Sequence, residues 1–248
     1  MGYDAGFASR YDRLVDWNAR RKREEPFFRK VLSRGGVRSV LDCHCGTGFH
    51  CAMLSEMGCH VEGVDSSPDM LRVAAENLRA RGIRARLHLG DVKEMRFGRQ
   101  FDCAISMGNS LPHEFGDENL LRSLKSMYGA IRDGGLCVLH MENFDELYRD
   151  RDRFIPARLA CHAGGGEAFI FAIDYEEDRA VFNILSIIED GGGQQFNVDV
   201  VEYNPVPAGK MRGLLEDAGF RGIEQHSDFS MARTNTGRTY DVIFVAGK

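Results

Sequence analysis

The chain has 248 residues, 43% of them hydrophobic and 28% charged, and carries a net charge of −5 at neutral pH. That length can bury a sizeable core, and one domain with an insertion is the expected organisation. The acidic balance excludes a global basic field for nucleic acid or an anionic membrane, no run is long and apolar enough to span a bilayer, and the polar start Met1-Gly2-Tyr3-Asp4 has no signal-peptide core, so a cytoplasmic protein is expected.

Phe7 to Trp17 and Lys22 to Ser33 have the apolar spacing of two helices, the second stopped by Gly35-Gly36. A first strand over Ser39–Asp42 is followed by a helix from Thr47 to Met57 and a second strand over His60–Asp65. Ser66-Ser67-Pro68-Asp69 supplies a capping hydroxyl and a first-turn proline for a helix that reaches Arg81. Ala85–Gly90, ending at Asp91, is a third strand. Phe101–Met107 is a fourth and Leu136–Met141 a fifth, separated by a helix over Glu118–Ile131 that Asp133-Gly134-Gly135 ends. Strands and helices alternating at this length give a doubly wound, mostly parallel sheet.

From Arg153 to Tyr203 the rhythm changes to strands alone: Phe154–His162, Ala168–Tyr175, Ala180–Glu189 and Gln195–Tyr203. The turns between them are Gly164-Gly165-Gly166, Glu177-Asp178 and Gly191-Gly192-Gly193. This reads as an antiparallel insertion over residues 153–203, with 1–152 and 204–248 forming the main domain. Pro205 and Pro207 start a helix to Ala218, and segments beginning at Gly219-Phe220 and Tyr240–Ala246 supply the last two strands.

The most informative stretch is Val40-Leu41-Asp42-Cys43-His44-Cys45-Gly46-Thr47-Gly48, an apolar strand that runs into a glycine turn. About twenty residues on, Val61-Glu62-Gly63-Val64-Asp65 ends a second strand in an acid. Such a turn lets backbone approach a ligand, and such an acid accepts hydrogen bonds from both ribose hydroxyls. Phe49, His50 and Cys51 follow the turn where a G-x-G-x-x-G motif needs another glycine, which argues against a dinucleotide pyrophosphate. The seven cysteines (43, 45, 51, 59, 103, 137 and 161) read as small, reduced core side chains. Cys43, His44, Cys45, His50 and Cys51 as metal or metalloid ligands is the alternative, in competition with the loop's use for a cofactor, and no metal is expected.

With its Gly-Val-Asp partner, the stretch Leu-Asp-x-x-Cys-Gly-Thr-Gly resembles the class I S-adenosylmethionine (SAM)-dependent methyltransferases. A narrower resemblance, to the glycine and sarcosine N-methyltransferases, rests on Tyr11-Asp12-Arg13-Leu14-Val15-Asp16-Trp17-Asn18-Ala19-Arg20, Met107-Gly108-Asn109-Ser110-Leu111-Pro112-His113 and Glu142-Asn143-Phe144-Asp145. The resemblance implies a Rossmann-like class I methyltransferase fold of α/β class, with a mostly parallel seven-stranded sheet and an inserted antiparallel β lid. It implies SAM as cofactor, S-adenosylhomocysteine as product, and a small-molecule acceptor in a chain that forms a homo-oligomer or stays single.

By that resemblance Tyr3, Tyr11 and Arg20 close over the cofactor, Arg20 pairing with its methionyl carboxylate. Gly46 and Gly48 present backbone to the methionyl part, and Asp65 takes the ribose. Asp91 and Val92 meet the adenine, and Met107 packs near the sulfonium. Asp42, His44, Ser66 and Met70 complete the cofactor set, His44 standing where the family usually has Ala or Gly. Asn109, His113 and Glu142 are the catalytic candidates.

Glu142 is the informative departure, because the animal glycine N-methyltransferases carry there an arginine that holds the substrate's carboxylate. An acid in its place repels a carboxylate and attracts a cation. Unless Arg153, Arg158 or Arg233 fills in, the expected acceptor is an amine or another cationic small molecule. An oxygen nucleophile, a sugar amine or a metalloid is the first rival, and a SAM-binding module without turnover the second. A nucleic-acid acceptor is not expected, since Asn109-Ser110-Leu111-Pro112 lacks the Pro-Pro-aromatic segment that flanks a flipped base.

Overall fold

Two helices, α1 (Ala5–Leu14) and α2 (Trp17–Gly35), lead into β1 (Ser39–Cys43), α3 (Phe49–Glu56), β2 (His60–Asp65), α4 (Pro68–Ala80), β3 (Arg86–Leu89), β4 (Phe101–Ser106), α5 (Asp117–Ala130), β5 (Ile131–Glu142) and α6 (Phe144–Asp150). Four strands follow, β6 (Phe154–His162), β7 (Gly165–Tyr175), β8 (Ala180–Asp190) and β9 (Gly193–Tyr203), then α7 (Ala208–Ala218), β10 (Arg221–His226) and β11 (Asp241–Gly247). The computed structural model of the protein describes residues 5–162, 165–191, 193–231 and 240–248, so Tyr3 lies outside the described residues.

The main sheet has seven strands in the order β10-β11-β5-β4-β1-β2-β3. All its pairs are parallel except those of β11, which runs antiparallel to both neighbours. The chain leaves β1 toward β2 and β3, then returns to β4 on the other side. The crevice beyond the carboxyl ends of β1 and β4 is therefore a topological switch point, where sheets of this kind bind ligands. A second, antiparallel sheet runs β6-β7-β8-β9. Its Ile173, Phe182, Ile184 and Val201 share one apolar core with Leu41, Ala104 and Leu139 of the main sheet.

Several element edges differ from the sequence reading for local reasons. The second helix begins at Trp17 rather than Lys22, because Asp16 caps it by accepting from Asn18 N (3.0 Å) and Ala19 N (3.1 Å). The helix after β1 begins at Phe49 rather than Thr47, with Gly48 in the left-handed conformation (φ 86°) as its cap. Helix α4 keeps the expected start: Ser67 accepts from Met70 N and Pro68 opens the first turn. Asp133-Gly134-Gly135 does not end a helix. Helix α5 ends at Ala130 and these residues lie inside β5, where the register against β4 shifts. Asn143 caps the additional helix α6 through Glu146 N (3.2 Å), and the tenth strand starts at Arg221, after Gly219 has ended α7 in a left-handed turn.

No described helix is long and apolar enough to cross a membrane. At the β4–β5 irregularity the chains approach so closely that a Cβ on Gly135 would stand 2.6 Å from the Asp102 carbonyl oxygen and overlap the Ile131 side chain. Backbone cannot yield there as a flexible side chain would. Gly135→Ala is expected to destabilise the fold by about 1–3 kcal/mol, read as a lowered urea midpoint, whereas Gly129→Ala, with open space around it, should not.

Candidate active site

The loop that leaves β1 is held from two directions. Asp65, at the end of β2, accepts the Gly46 N–H through Oδ2 (2.8 Å) and the Ser67 N–H through Oδ1 (2.9 Å). From the opposite side, Asp12 of α1 accepts the Thr47 hydroxyl (2.5 Å), the Trp17 indole N–H (3.0 Å) and the Asn77 amide (2.7 Å); Asn77 also donates to the Thr47 carbonyl (3.0 Å). The amino-terminal helix is thereby fastened to the glycine turn and to α4, which brings Tyr11 and Arg20 over the crevice.

A cavity of about 910 Å³ fills the space. It gathers Tyr11, Arg20, His44, Gly46, Asp65, Ser66, Met70, Met107, Asn109, His113 and Glu142 from the sequence-derived set. Asp42, Gly48, Asp91 and Val92 do not line it. Asp42 is buried beneath the turn, one oxygen against Cys51 Sγ (3.4 Å) and the other without a partner among the described residues. Burial pushes its carboxyl up to about 7. Gly48 faces α4, where a Cβ would come within 3.2 Å of Ala74 Cβ. Asp91 turns onto Lys93, accepting from its backbone N–H (2.9 Å) and pairing with its ammonium (3.1 Å), while Val92 is buried in the core.

His44 adopts the left-handed conformation (φ 62°) that the turn demands. Its Nδ1 meets Ser106 Oγ of β4 at 2.9 Å. Burial, reinforced by nearby His113, pushes its pKa down to about 4. His113 is pushed to about 4 by its own burial, with its ring against Tyr203 (centroids 4.6 Å apart). His50 meets Glu24 rather than the turn. Among the described residues no three His, Cys, Asp or Glu side chains converge as a metal site. Cys43, Cys45, Cys51, Cys103 and Cys137 are buried free thiols, Cys43 and Cys103 pushed well above their ordinary range by burial.

Residues the sequence did not single out line or back the cavity wall. Glu24, fully buried in α2, accepts from Arg20 Nε (2.8 Å) and Arg23 Nη2 (3.2 Å) and meets His50 Nε2 (2.7 Å). Burial works against its charge, but Arg20 and His50 hold its pKa well below the usual range. Burial pushes His50 down to about 4, so its ring donates to an ionised Glu24. Arg20 also stacks on Phe49 (4.9 Å), and its outer nitrogen would lie 3.0 Å from a Cβ at Gly108.

On the wall formed by β5 and β11, His140 Nδ1 accepts the Gly108 N–H (3.0 Å), so its proton sits on Nε2 and is donated to Asp241 (2.7 Å). Arg23 stands 3.8 Å from Asp241 and stacks on Phe229 (4.9 Å). Gly108 and Asn109 are both left-handed (φ 71° and 64°), a double bend that returns the Asn109 side chain to β5, where its Oδ1 accepts the Glu142 N–H (3.0 Å). The buried Asn109 Nδ2 has no partner among the described residues. Neither does the carboxyl of Glu142, which burial, reinforced by the charge of Asp241, pushes up to about 8. Ile155, Phe171, Phe182, Ile184 and Tyr203 of the antiparallel sheet form an apolar wall.

The residues present fit the methyl donor. The turn offers backbone at Gly46, Asp65 lies at the second strand end, Gly108 leaves the room that a Cβ would fill beside Arg20, and Asn109 Nδ2 is a buried donor without a partner among the described residues. Residues 40–135 match the family model described as a methyltransferase domain. The glycine/sarcosine N-methyltransferase of Aphanothece halophytica is 35% identical over 231 residues, covering 92% of this chain and 83% of that one. That of Parasynechococcus marenigrum is 32% identical over 234 residues, covering 92% and 78%. The crystal structure of Streptomyces venezuelae DesVI superposes with a TM-score of 0.83 at 24% identity, covering 98% of this chain and 99% of that one.

Glu142 carries a stability signature. Its carboxyl binds a proton more tightly folded (about 8) than unfolded (ordinary value 4.5), so its contribution is fully present below about pH 4.5 and is lost as pH rises through 8. His44, His50 and His113, lowered to about 4, act in the opposite sense, and their effect is complete above their ordinary 6.5. Between those limits, with Asp42 contributing only to about 7, wild type should lose stability relative to Glu142→Gln by up to about 1.4 kcal/mol per pH unit. Urea titrations at a series of pH values measure this, and parallel curves for the two proteins would remove the assignment.

Proposed function

This chain belongs to the glycine/sarcosine N-methyltransferase family of class I SAM-dependent methyltransferases, and from that premise we propose that it methylates the nitrogen of a cationic small-molecule amine, with Glu142 as the group that receives the amine. When bound, SAM supplies an electrophilic methyl on a sulfonium that is its own leaving group. The protein's work is to hold, orient and enclose.

Asp65 would accept from the ribose hydroxyls and Arg20, aimed by Glu24, would donate to the methionyl carboxylate, with Gly46, Ser66, Met70 and Met107 beside them. Tyr3 and His44 belong to the proposed cofactor set, as do Asp42, Gly48, Asp91 and Val92, which stand off the cavity wall and would act by supporting the turn and the adenine side. The antiparallel strands of 153–203 would act as a lid and the flanking segments as the cofactor domain. The reduced cysteines support a cytoplasmic setting, and the net charge of −5 a small molecule rather than nucleic acid.

The observation that carries the acceptor is Glu142: a cavity-lining carboxyl with no hydrogen-bond partner among the described residues and a pKa of about 8. Ionised, it attracts an ammonium and then takes a proton from it, leaving a neutral nitrogen whose lone pair can attack. For an amine with a pKa near 10 this transfer costs roughly 3 kcal/mol, a cost within reach of ordinary turnover. Asn109 would orient the acceptor, and His113, held neutral, would border it.

Arg23 supports a second reading. It lines the same cavity, and the relatives are named for amino-acid acceptors, so it could take a carboxylate. Its charge is already met by Glu24 and Asp241, which is why the cationic amine is preferred.

Release of S-adenosylhomocysteine, followed with glycine and sarcosine in one set and amines lacking a carboxylate in another, tests the assignment. Turnover should favour the second set, with kcat/KM rising with pH toward about 8. Glu142→Gln should lower kcat/KM roughly 100-fold or more and flatten that rise. Preference for glycine, lost in Arg23→Gln, would establish the second reading. Silence with both sets while SAM still binds would leave a different acceptor or a non-catalytic module.

A further inference from the structure

Phe49 and His50 follow directly on the glycine turn, at the first two positions of α3, and both reach α2. The Arg20 guanidinium lies over the Phe49 ring (4.9 Å), and His50 Nε2 meets Glu24 Oε2 at 2.7 Å. The Phe49 and His50 rings are in edge contact (4.9 Å), and Phe28 of α2 also packs on His50 (5.8 Å). Glu24 Oε1 accepts from Arg20 Nε (2.8 Å), so the guanidinium is tethered at its inner nitrogen. Its outer end stands in the cavity wall beside Tyr11 and Gly108.

Helix stability does not account for Glu24. An arginine four residues ahead of a glutamate is the less favourable order of such a pair. A carboxylate at zero exposure also gives up its hydration, and a buried ion pair adds little net stability in return. The neighbouring pair Arg21–Glu25 (2.6 Å) has the same spacing on the partly exposed side of the helix. What a buried, fully partnered carboxylate supplies is fixed geometry. We propose that Glu24 and His50 are positioning residues for the methyl donor: they hold Arg20 where its guanidinium takes the methionyl carboxylate, and so make the site selective for sulfonium and thioether nucleosides that carry that group.

The inference rests on the cavity being the SAM site and not on the identity of the acceptor. His50 is neutral and Glu24 ionised, so the ring can meet the carboxylate only by donating from Nε2. One Glu24 oxygen is thereby fixed from α3, and the other takes Arg20 and Arg23 (3.2 Å) of its own helix. A free arginine side chain samples many rotamers, and ordering it when a ligand arrives lowers affinity; a tether at Nε does the ordering in advance and leaves the outer fork to the ligand. Both contacts from α3 come from residues next to Gly48, so the guanidinium and the backbone of the turn are held as one unit.

Calorimetric binding of two ligands to the full chain tests the proposal: S-adenosylhomocysteine and its decarboxylated form, which differ only in the carboxylate. Wild type should prefer S-adenosylhomocysteine by roughly 100-fold or more. Glu24→Ala, which leaves Arg20 untethered, should weaken S-adenosylhomocysteine by roughly 30-fold and leave the decarboxylated ligand nearly unchanged. Glu24→Gln keeps an oxygen for Arg20 Nε and should recover most of the preference. Arg20→Gln should abolish the preference, and adding Glu24→Ala to it should weaken S-adenosylhomocysteine no further, because one residue acts through the other.

Should Glu24→Ala fail to fold, His50 gives the same answer without leaving an arginine unpaired. His50→Leu should weaken S-adenosylhomocysteine but not the decarboxylated ligand, and His50→Gln, which keeps an N–H donor, should restore it. Equal losses for the two ligands would assign these residues a structural role alone and overturn the proposal. So would a preference that survives Glu24→Ala, or a Glu24→Gln protein no better than Glu24→Ala. No methyl acceptor enters these measurements, so their failure would leave the role of Glu142 untouched.

Discussion

Two carboxylates from opposite sides hold the loop between β1 and α3, and the rest of the site depends on that grip. Asp65 takes the Gly46 N–H and Asp12 the Thr47 hydroxyl. The first contact sets the backbone that a cofactor would meet. The second is longer-range, because Asp12 belongs to α1 and also binds Asn77 of α4. Hydrogen bonds to a charged acceptor contribute about 1.5–3 kcal/mol each, enough to hold a short amphipathic helix that would be marginal alone. Tyr11, the residue before Asp12, lines the cavity from the helix that this contact fastens.

A second set of buried charges is organised in the same way. Glu24 bridges Arg20, Arg23 and His50, and Asp241 bridges His140 and Arg23, so α2, α3, β5 and β11 meet through paired groups. A buried pair of this kind adds little net stability over an apolar replacement, but removing one member leaves an uncompensated charge. Its effect here is orientational: Arg20 is aimed between Phe49 and Gly108, and His140 keeps its proton on Nε2 because Gly108 donates to Nδ1.

Features that depend on short-range chemistry were legible in the sequence. The Ser67 cap, the Pro68 start and the glycine turn twenty residues before Asp65 are local statements, and the structure keeps them. The antiparallel strands could be read from their turns, Ala180–Glu189 becoming Ala180–Asp190. Features made by distant partners were hidden. Glu24 sits in a run of arginines and lysines that reads as a solvated helix face, and only the fold shows it at zero exposure against His50. Asp241 meets His140 across 101 positions. Asp133-Gly134-Gly135 carries a stop signal whose meaning, the close approach of β5 to Asp102, belongs to the sheet rather than to a helix.

The end of β5 joins the fold to the chemistry. Side chains alternate along a strand, so Leu139 and Met141 enter the core while His140 and Glu142 face the cavity. His140 is committed to structure through Gly108 and Asp241. Glu142 makes its structural contact through its backbone, donating to Asn109 Oδ1, and leaves its side chain to the cavity. Because the backbone does the structural work there, a substitution at this position changes the charge facing the cavity without disturbing the strand. The charge presented to the cavity can therefore change while the fold and the glycine turn stay the same.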